Sequence, residues 1–417
     1  MSTAAQPHLA SADPQTLLRH AMTVEGKREP NQVYGWIRDQ VPIWRDSDTG
    51  LWYLFRWADC DAVLRSSNFG VSGMLEMDPR HRTSSSLRFV SETLSNLNAP
   101  GHTRIRSRIQ KSFSVPVLKK SEAYVREVIE AAIDALRGRD SFDVVTDYAA
   151  QIPNTVICEL LGVPRQDHHL FDKWLADQFR LLSPTPPSDT LLAETDRSTD
   201  ELLAYIEALT EERMREPRED LISAFVSAQA EHDDPLSLRE MVVTTTILLA
   251  GGSDTTKTAI AMGVRQLIET PEEYARLVAD PSIDGKAFEE ILRFGGAVLL
   301  ANTRKAHADV EIAGERIAMG DIVVPVIAAA NFDPVKFVNP QQFDVGRSPN
   351  PHLAFGGGIH VCVGNMLARM VGTIAVPRLI RAFPAMSLIG DGRDVNLNLF
   401  ALRGLNSLPV QAGSVRP

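Results

Sequence analysis

The stretch Phe355-Gly356-Gly357-Gly358-Ile359-His360-Val361-Cys362-Val363-Gly364 constrains the fold more than any other. Its run of glycines frees the backbone for a tight turn and removes the side chains that would hold a flat ligand away. A cysteine closes the turn, and a helix-like run from Asn365 to Ile380 follows at once. Amides of such a turn, backed by a helix N-terminus, stabilise a thiolate. The chain must therefore bring a sulfur, a sharp turn and a helix start to one point.

The other cysteines leave that sulfur without competition. Cys60 and Cys158 lie far from Cys362 and from each other, which gives neither a disulfide framework nor a zinc spacing. Such usage fits a reducing compartment. With 417 residues, 44% of them hydrophobic, the chain can bury a large core. Its formal net charge of -10 argues against nucleic acid as a partner. Met1 to Pro14 is polar, unlike a signal peptide, and no run of ~18 apolar residues suggests a membrane span. The expected organisation is a flexible tail over 1–29, one helix-rich unit over 30–412 and a short tail over 413–417, in a cytoplasmic protein.

Helical periodicity dominates from residue 100 to 295, and strand-like runs stand at Leu51 to Phe55, Val310 to Ile312 and Asp321 to Ile327. The class is mainly α with small β-sheets. Gly70 to Leu94 is polar, Ser-rich and without period, and is expected as a long functional loop. Beyond it a helix opens at Gly101 and sorts its charges by face. His102 and Arg106 share one face, suited to an anionic ligand, while Arg104, Arg108 and Lys111 lie on another, suited to an acidic partner. A solvated basic helix is the plainer alternative.

Ser237-Leu238-Arg239-Glu240 is a capping box and Thr270-Pro271 a stop, which predicts a helix of ~30 residues and ~45–50 Å. Its centre, Ala250-Gly251-Gly252-Ser253-Asp254-Thr255-Thr256, weakens it. Each glycine costs ~1 kcal/mol relative to alanine, and Thr255 can donate to the Gly251 carbonyl one turn earlier. A groove opened there would admit a flat ligand and a diatomic molecule, with an acid, Asp254, and an alcohol, Thr255, at its wall. A close helix–helix contact with Asp254 exposed is the alternative.

Phe355, Gly358, Cys362 and Gly364 fill the pattern Phe-x-x-Gly-x-x-x-Cys-x-Gly, which resembles the haem-ligand signature of the cytochrome P450 family. Gly251 to Thr256 resembles its oxygen-activation motif, with Gly251 where alanine is more usual. Glu290 and Arg293 resemble its Glu-x-x-Arg structural pair. Phe332 and Gln342 stand where that network usually has arginine, and Arg347 is the nearest substitute. Phe294 to Leu300 lacks the usual proline, which leaves the pocket shape open. The similarity spans roughly residues 30–412 and is strongest to the soluble bacterial members.

This resemblance implies the family's triangular fold and haem b as cofactor, with Cys362 as axial ligand to the iron. His102, Arg106, Arg304, His352 and His360 match its propionate contacts. Asp254 and Thr255 would deliver protons to bound oxygen. Leu87, Leu94, Ile247, Leu248, Gly251, Val298, Leu299 and Phe400 would line the substrate pocket. The implied activity inserts one oxygen atom from O2 into a medium-sized hydrophobic molecule, hydroxylation above all, in bacterial secondary or catabolic metabolism. Electrons would come from a ferredoxin and its reductase, received at Arg104, Arg108 and Lys111. The rivals are a peroxide-using or oxidative-coupling enzyme of the same fold and a non-enzymatic haem-thiolate sensor. The oxygen-groove residues weigh against the peroxide-using enzyme and the sensor.

Overall fold

The computed structural model describes residues 12–28, 30–71, 78–110, 115–181, 187–229, 233–392, 394–395 and 401–413. The first helices that bear on the site are α1 (Pro14–Ala21), α2 (Pro30–Gln40), α3 (Trp57–Arg65), α4 (Ser85–Glu92) and α5 (Gly101–Gln110). After them come α6 (Gln151–Leu161), α7 (Asp189–Arg215), α8 (Leu238–Glu269), α9 (Asp284–Gly295) and α10 (Asn365–Ala382).

Caps fix where several of these begin. Glu240 Oε2 accepts the Ser237 N–H at 2.8 Å while the Ser237 hydroxyl accepts the Glu240 N–H at 3.2 Å. That reciprocal box satisfies two orphan donors, and α8 runs unbroken to Glu269 as the sequence predicts. It packs against α6, α7, α9 and α10, so its centre lies inside the helical core. The approach of α9 to α10 is set by Gly372, where a Cβ would stand 1.9 Å from the Phe288 ring. Phe288 itself is 1% exposed, a burial worth ~2–3 kcal/mol.

Short strands flank the helices. β1 (Ile43–Arg45), β2 (Trp52–Leu54), β3 (Phe69–Val71) and β4 (Ser141–Asp143) precede α6. β5 (Arg304–Ala306), β6 (Val310–Ile312), β7 (Glu315–Ile317), β8 (Ile322–Pro325), β9 (Ser387–Leu388) and β10 (Pro409–Gln411) follow α9. One sheet has the order β1-β2-β8-β5-β3, a second β4-β10-β9, and β6 pairs with β7. β2 runs parallel to β8 with Trp52 opposite Val323, and β5 lies antiparallel to both of its neighbours.

Two expectations are corrected. Part of the stretch expected as a flexible tail is helix α1, capped by Asp13, which accepts the Thr16 N–H at 3.0 Å. Its Leu17 is fully buried in a cluster with α2 residues, so apolar packing outweighs the shortness of the helix. The segment expected as a loop up to Leu94 contains α4. Ser84 accepts the Leu87 N–H at 3.2 Å, and Asp196 of α7 accepts from the Ser84 hydroxyl at 2.6 Å and the Ser86 N–H at 2.9 Å. The serines that resemble loop composition are a helix cap and its tertiary anchor.

Candidate active site

The turn before α10 places Cys362. Its N–H donates to the Phe355 carbonyl at 2.9 Å, which closes the loop on itself. Gly358 has φ +65, and a Cβ there would stand 2.3 Å from the Leu64 carbonyl of α3, so no other residue fits. The accessible face of Cys362 opens into a cavity of about 420 Å³. Burial pushes its thiol up, against the pull of the Gly364 N–H, Arg106 and Arg369. A coordinated metal reverses that balance, because a ligating thiol is deprotonated outright.

Basic groups gather at the same cavity. His102, Arg106, Arg304 and His360 all line it, and among the described residues no carboxylate does. Arg304, at the head of β5, is 4% exposed and donates to the Asn302 carbonyl at 2.8 Å. Burial brings its pKa down to about 10. Burial likewise lowers Arg106, with Cys362 pulling the other way. His102 is 1% exposed, and neither ring nitrogen has a partner. Its ring lies 4.2 Å from that of His360, which burial, then His102, Arg304 and Arg106 bring down to about 3. A buried and a half-buried guanidinium, with an orphaned imidazole and no carboxylate in the lining, form a site for a dianion. These residues fit the haem expected from the sequence: they would hold its two carboxylates, and Cys362 would hold its iron.

Over the same cavity stands the centre of α8. Gly251, Gly252 and Thr255 line it, and the Thr255 hydroxyl donates to the Gly251 carbonyl at 2.9 Å. A Cβ at Gly251 would meet nothing within 4 Å. Asp254 is placed differently from the expectation: it does not line the cavity and forms an ion pair with Lys257, one turn along.

Leu94, Ile247, Leu248 and Val298 line the cavity. Leu87 does not; it is fully buried in the helical core because α4 turns that face inward. Leu299 also points elsewhere, into the cluster shared with α1 and α2, as strand alternation requires beside Val298. His352 is likewise a correction. It is absent from the lining, its Nε2 lies 3.0 Å from Glu289 Oε2, and its Nδ1 accepts the Ala354 N–H at 3.2 Å. Phe400 and Lys111 fall outside the described residues.

Two parts of the lining were not named from the sequence, one of them next to Phe400. Val298 bridges Leu402 in antiparallel fashion, and the Leu299 N–H donates to the Ala401 carbonyl at 2.9 Å, so Ala401 and Leu402 join the lining. The Arg403 N–H donates to the Ala297 carbonyl at 2.7 Å. Its buried guanidinium donates to the Phe294 carbonyl at 2.9 Å and the Gly296 carbonyl at 3.2 Å at the end of α9. Pro153, Val156 and Ile157 of α6 also line the cavity. Nothing in their local sequence distinguishes them from core.

The basic face of α5 is engaged within the chain. Arg104 pairs with Glu240 and lies 3.6 Å from Asp234, and Arg108 donates to the Asp234 carbonyl at 3.1 Å. These contacts tie α5 to the start of α8 and leave less free charge there than the sequence suggested.

Beneath the cavity, Glu290 and Arg293 form a fully buried bidentate pair, both bonds 2.8 Å. Arg347 donates to both Glu290 oxygens, at 3.1 and 3.0 Å, and takes the third place in the network. Among the described residues no helix is long and apolar enough to cross a membrane.

Residues 74–280 and 285–397 match the protein-family model described as Cytochrome P450. The putative cytochrome P450 YjiB of Bacillus subtilis (strain 168) is 35% identical over 398 residues, 93% of this chain and 97% of its own length. The vitamin D(3) 25-hydroxylase of Pseudonocardia autotrophica is 31% identical over 394 residues, covering 93% of this chain and 94% of the relative. A crystal structure of P450BioI in complex with hexadec-9Z-enoic acid ligated acyl carrier protein has a TM-score of 0.86 at 30% identity, covering 93% and 99% of the two chains.

Proposed function

The chain belongs to the cytochrome P450 family, and from that premise we propose that it hydroxylates a medium-sized hydrophobic molecule with one atom of O2. Haem, when bound, supplies the reductive activation of O2 and the insertion step. The form is haem b, held by Cys362 at the iron and by Arg106, Arg304, His102 and His360 at its carboxylates. Electrons come from a separate ferredoxin and its reductase, and the enzyme works in the cytoplasm.

One observation carries the reading: Cys362 and Thr255 line the same cavity, and its remaining walls are largely apolar. Donation to Gly251 directs the Thr255 proton into the helix and leaves the oxygen lone pairs for a water in the groove. Thr255 orients that water, which would pass its own proton to the oxygen that the groove admits. Asp254 replenishes the proton when it leaves Lys257. Leu94, Ile247, Leu248, Val298 and Leu402 exclude bulk water and select an apolar substrate. Two similar proteins support that class: one is named for hydroxylating vitamin D(3), the other is solved with hexadec-9Z-enoic acid on its carrier protein.

The test is a spin-shift screen of haem-loaded protein against hydrophobic compounds. Each hit is then turned over with ferredoxin, reductase and isotopically heavy O2. A product carrying one heavy oxygen is expected. A library without hits, or oxygen drawn from water, refutes the reading. Turnover by hydrogen peroxide that outpaces reductant-driven turnover assigns a peroxygenase instead.

A further inference from the structure

His352 and Arg369 share one acceptor. Glu289, on α9 beside Glu290, accepts from Arg369 Nε at 2.6 Å and Nη2 at 3.1 Å. His352 Nδ1 accepts a backbone N–H, so the ring proton sits on Nε2 and is donated to the same carboxylate at 3.0 Å. Arg369 extends the chain on its other side: Nη1 donates to Asn365 Oδ1 at 2.8 Å, and Asn365 Nδ2 donates to the Cys362 carbonyl at 2.6 Å. The guanidinium also lies 4.5 Å from the centre of the Phe355 ring, whose own carbonyl accepts the Cys362 N–H. Adjacent glutamates thus grip different parts of the molecule. Glu290 holds Arg293 and Arg347, and Glu289 holds the start of α10.

We propose that Glu289, His352 and Arg369 are positioning residues that fix the Cys362 turn from outside the cavity and keep its sulfur in place as the ligand. This rests on Cys362 being the iron ligand. None of the three lines the cavity, so they act through Asn365 and Phe355 and not on the cofactor directly. His352 orients the carboxylate, and the carboxylate orients a planar guanidinium whose fork reaches two partners at once. Lysine keeps the charge but lacks that fork.

The test uses haem-loaded protein, reduced and exposed to carbon monoxide, with the ratio of thiol-ligated to thiolate-ligated carbonyl complex read from the absorption spectrum. Arg369→Gln is expected to raise that ratio about ten-fold, the factor matching loss of a charge-assisted bond of ~1.4 kcal/mol. Arg369→Lys should fall between it and the native protein. His352→Phe should move the ratio in the same direction, and His352→Gln, which keeps a donor, should restore it. Arg213→Lys, more deeply buried and remote in the α7 core, should lower stability and leave the ratio unchanged. A native ratio in both Arg369→Gln and His352→Phe overturns the proposal. A native protein that forms no thiolate-ligated complex overturns the assignment of Cys362 instead.

Discussion

Glu290→Gln is the sharpest probe of the buried network beneath the site. Glu290 and Arg293 are both fully buried, and the carboxylate accepts from Arg293, Arg347, Asn350 and the Asp344 N–H. Glutamine keeps the volume and one acceptor oxygen. It removes the only carboxylate bonded to Arg293 among the described residues and turns amide protons toward donors. Arg293 retains the Asn331 and Pro340 carbonyls at 2.9 Å, so its bonding is only partly lost. Stranding a buried cation costs ~3–5 kcal/mol, against a total stability of ~5–15 kcal/mol. Urea unfolding of apo and haem-loaded protein should show that loss, and haem retention should fall with it. Arg347→Met alone should cost ~1.5–3 kcal/mol and much less in the Glu290→Gln background, because the same contacts are already gone. Glu122→Gln, from an exposed pair with Arg126, should stay within ~0.5 kcal/mol. A cost below ~1 kcal/mol for Glu290→Gln would falsify the claim that its charge holds the network together.

Thr255→Ala should divert electrons from product to released hydrogen peroxide, whereas Thr255→Ser should keep coupling near the native value; peroxide measured per NADPH consumed decides it. Gly358→Ala forces a left-handed backbone worth ~1–2 kcal/mol and a contact with the Leu64 carbonyl, so haem loading should drop, while Gly251→Ala should load normally. Against its burial, bonds from His352 and Arg369 hold Glu289 down to about 2, below an ordinary 4.5. Its folded-state pKa is depressed, so its stabilisation is complete above about 4.5 and fades as pH falls toward about 2. Glu289→Gln should flatten the acid side of the stability profile within that window, and an unchanged profile would count against the bonds. Arg403→Met leaves two carbonyls at the end of α9 without their donor, at ~1–3 kcal/mol each. It should weaken a long alkylimidazole in binding titrations more than imidazole itself, and equal shifts would contradict its control of the wall.

What could be read beforehand was local. The capping box at Ser237 and Glu240, the Cys362 turn and the Thr255 donation each depend on residues within a few positions. Arg347 was legible only as a neighbour, because its partner lies far back in the chain. His352 was misplaced because proximity to the cysteine does not say which way a ring turns; the Ala354 N–H and Glu289 decide that. Asp254 followed the same rule, since Lys257 stands close enough on its helix to claim it. For Ala401 and Leu402 only the resemblance pointed nearby, at Phe400, because a β-bridge to Val298 is a tertiary event.

The bridge between Val298 and Leu402 bears on how such an enzyme changes diet over generations. Strips remote in the gene are laced together, so an altered side chain on one tugs at its opposite number. Lineages that acquire a new substrate should show paired replacements across the seam, and chimaeras that import one strip alone should inherit an ill-fitting flank.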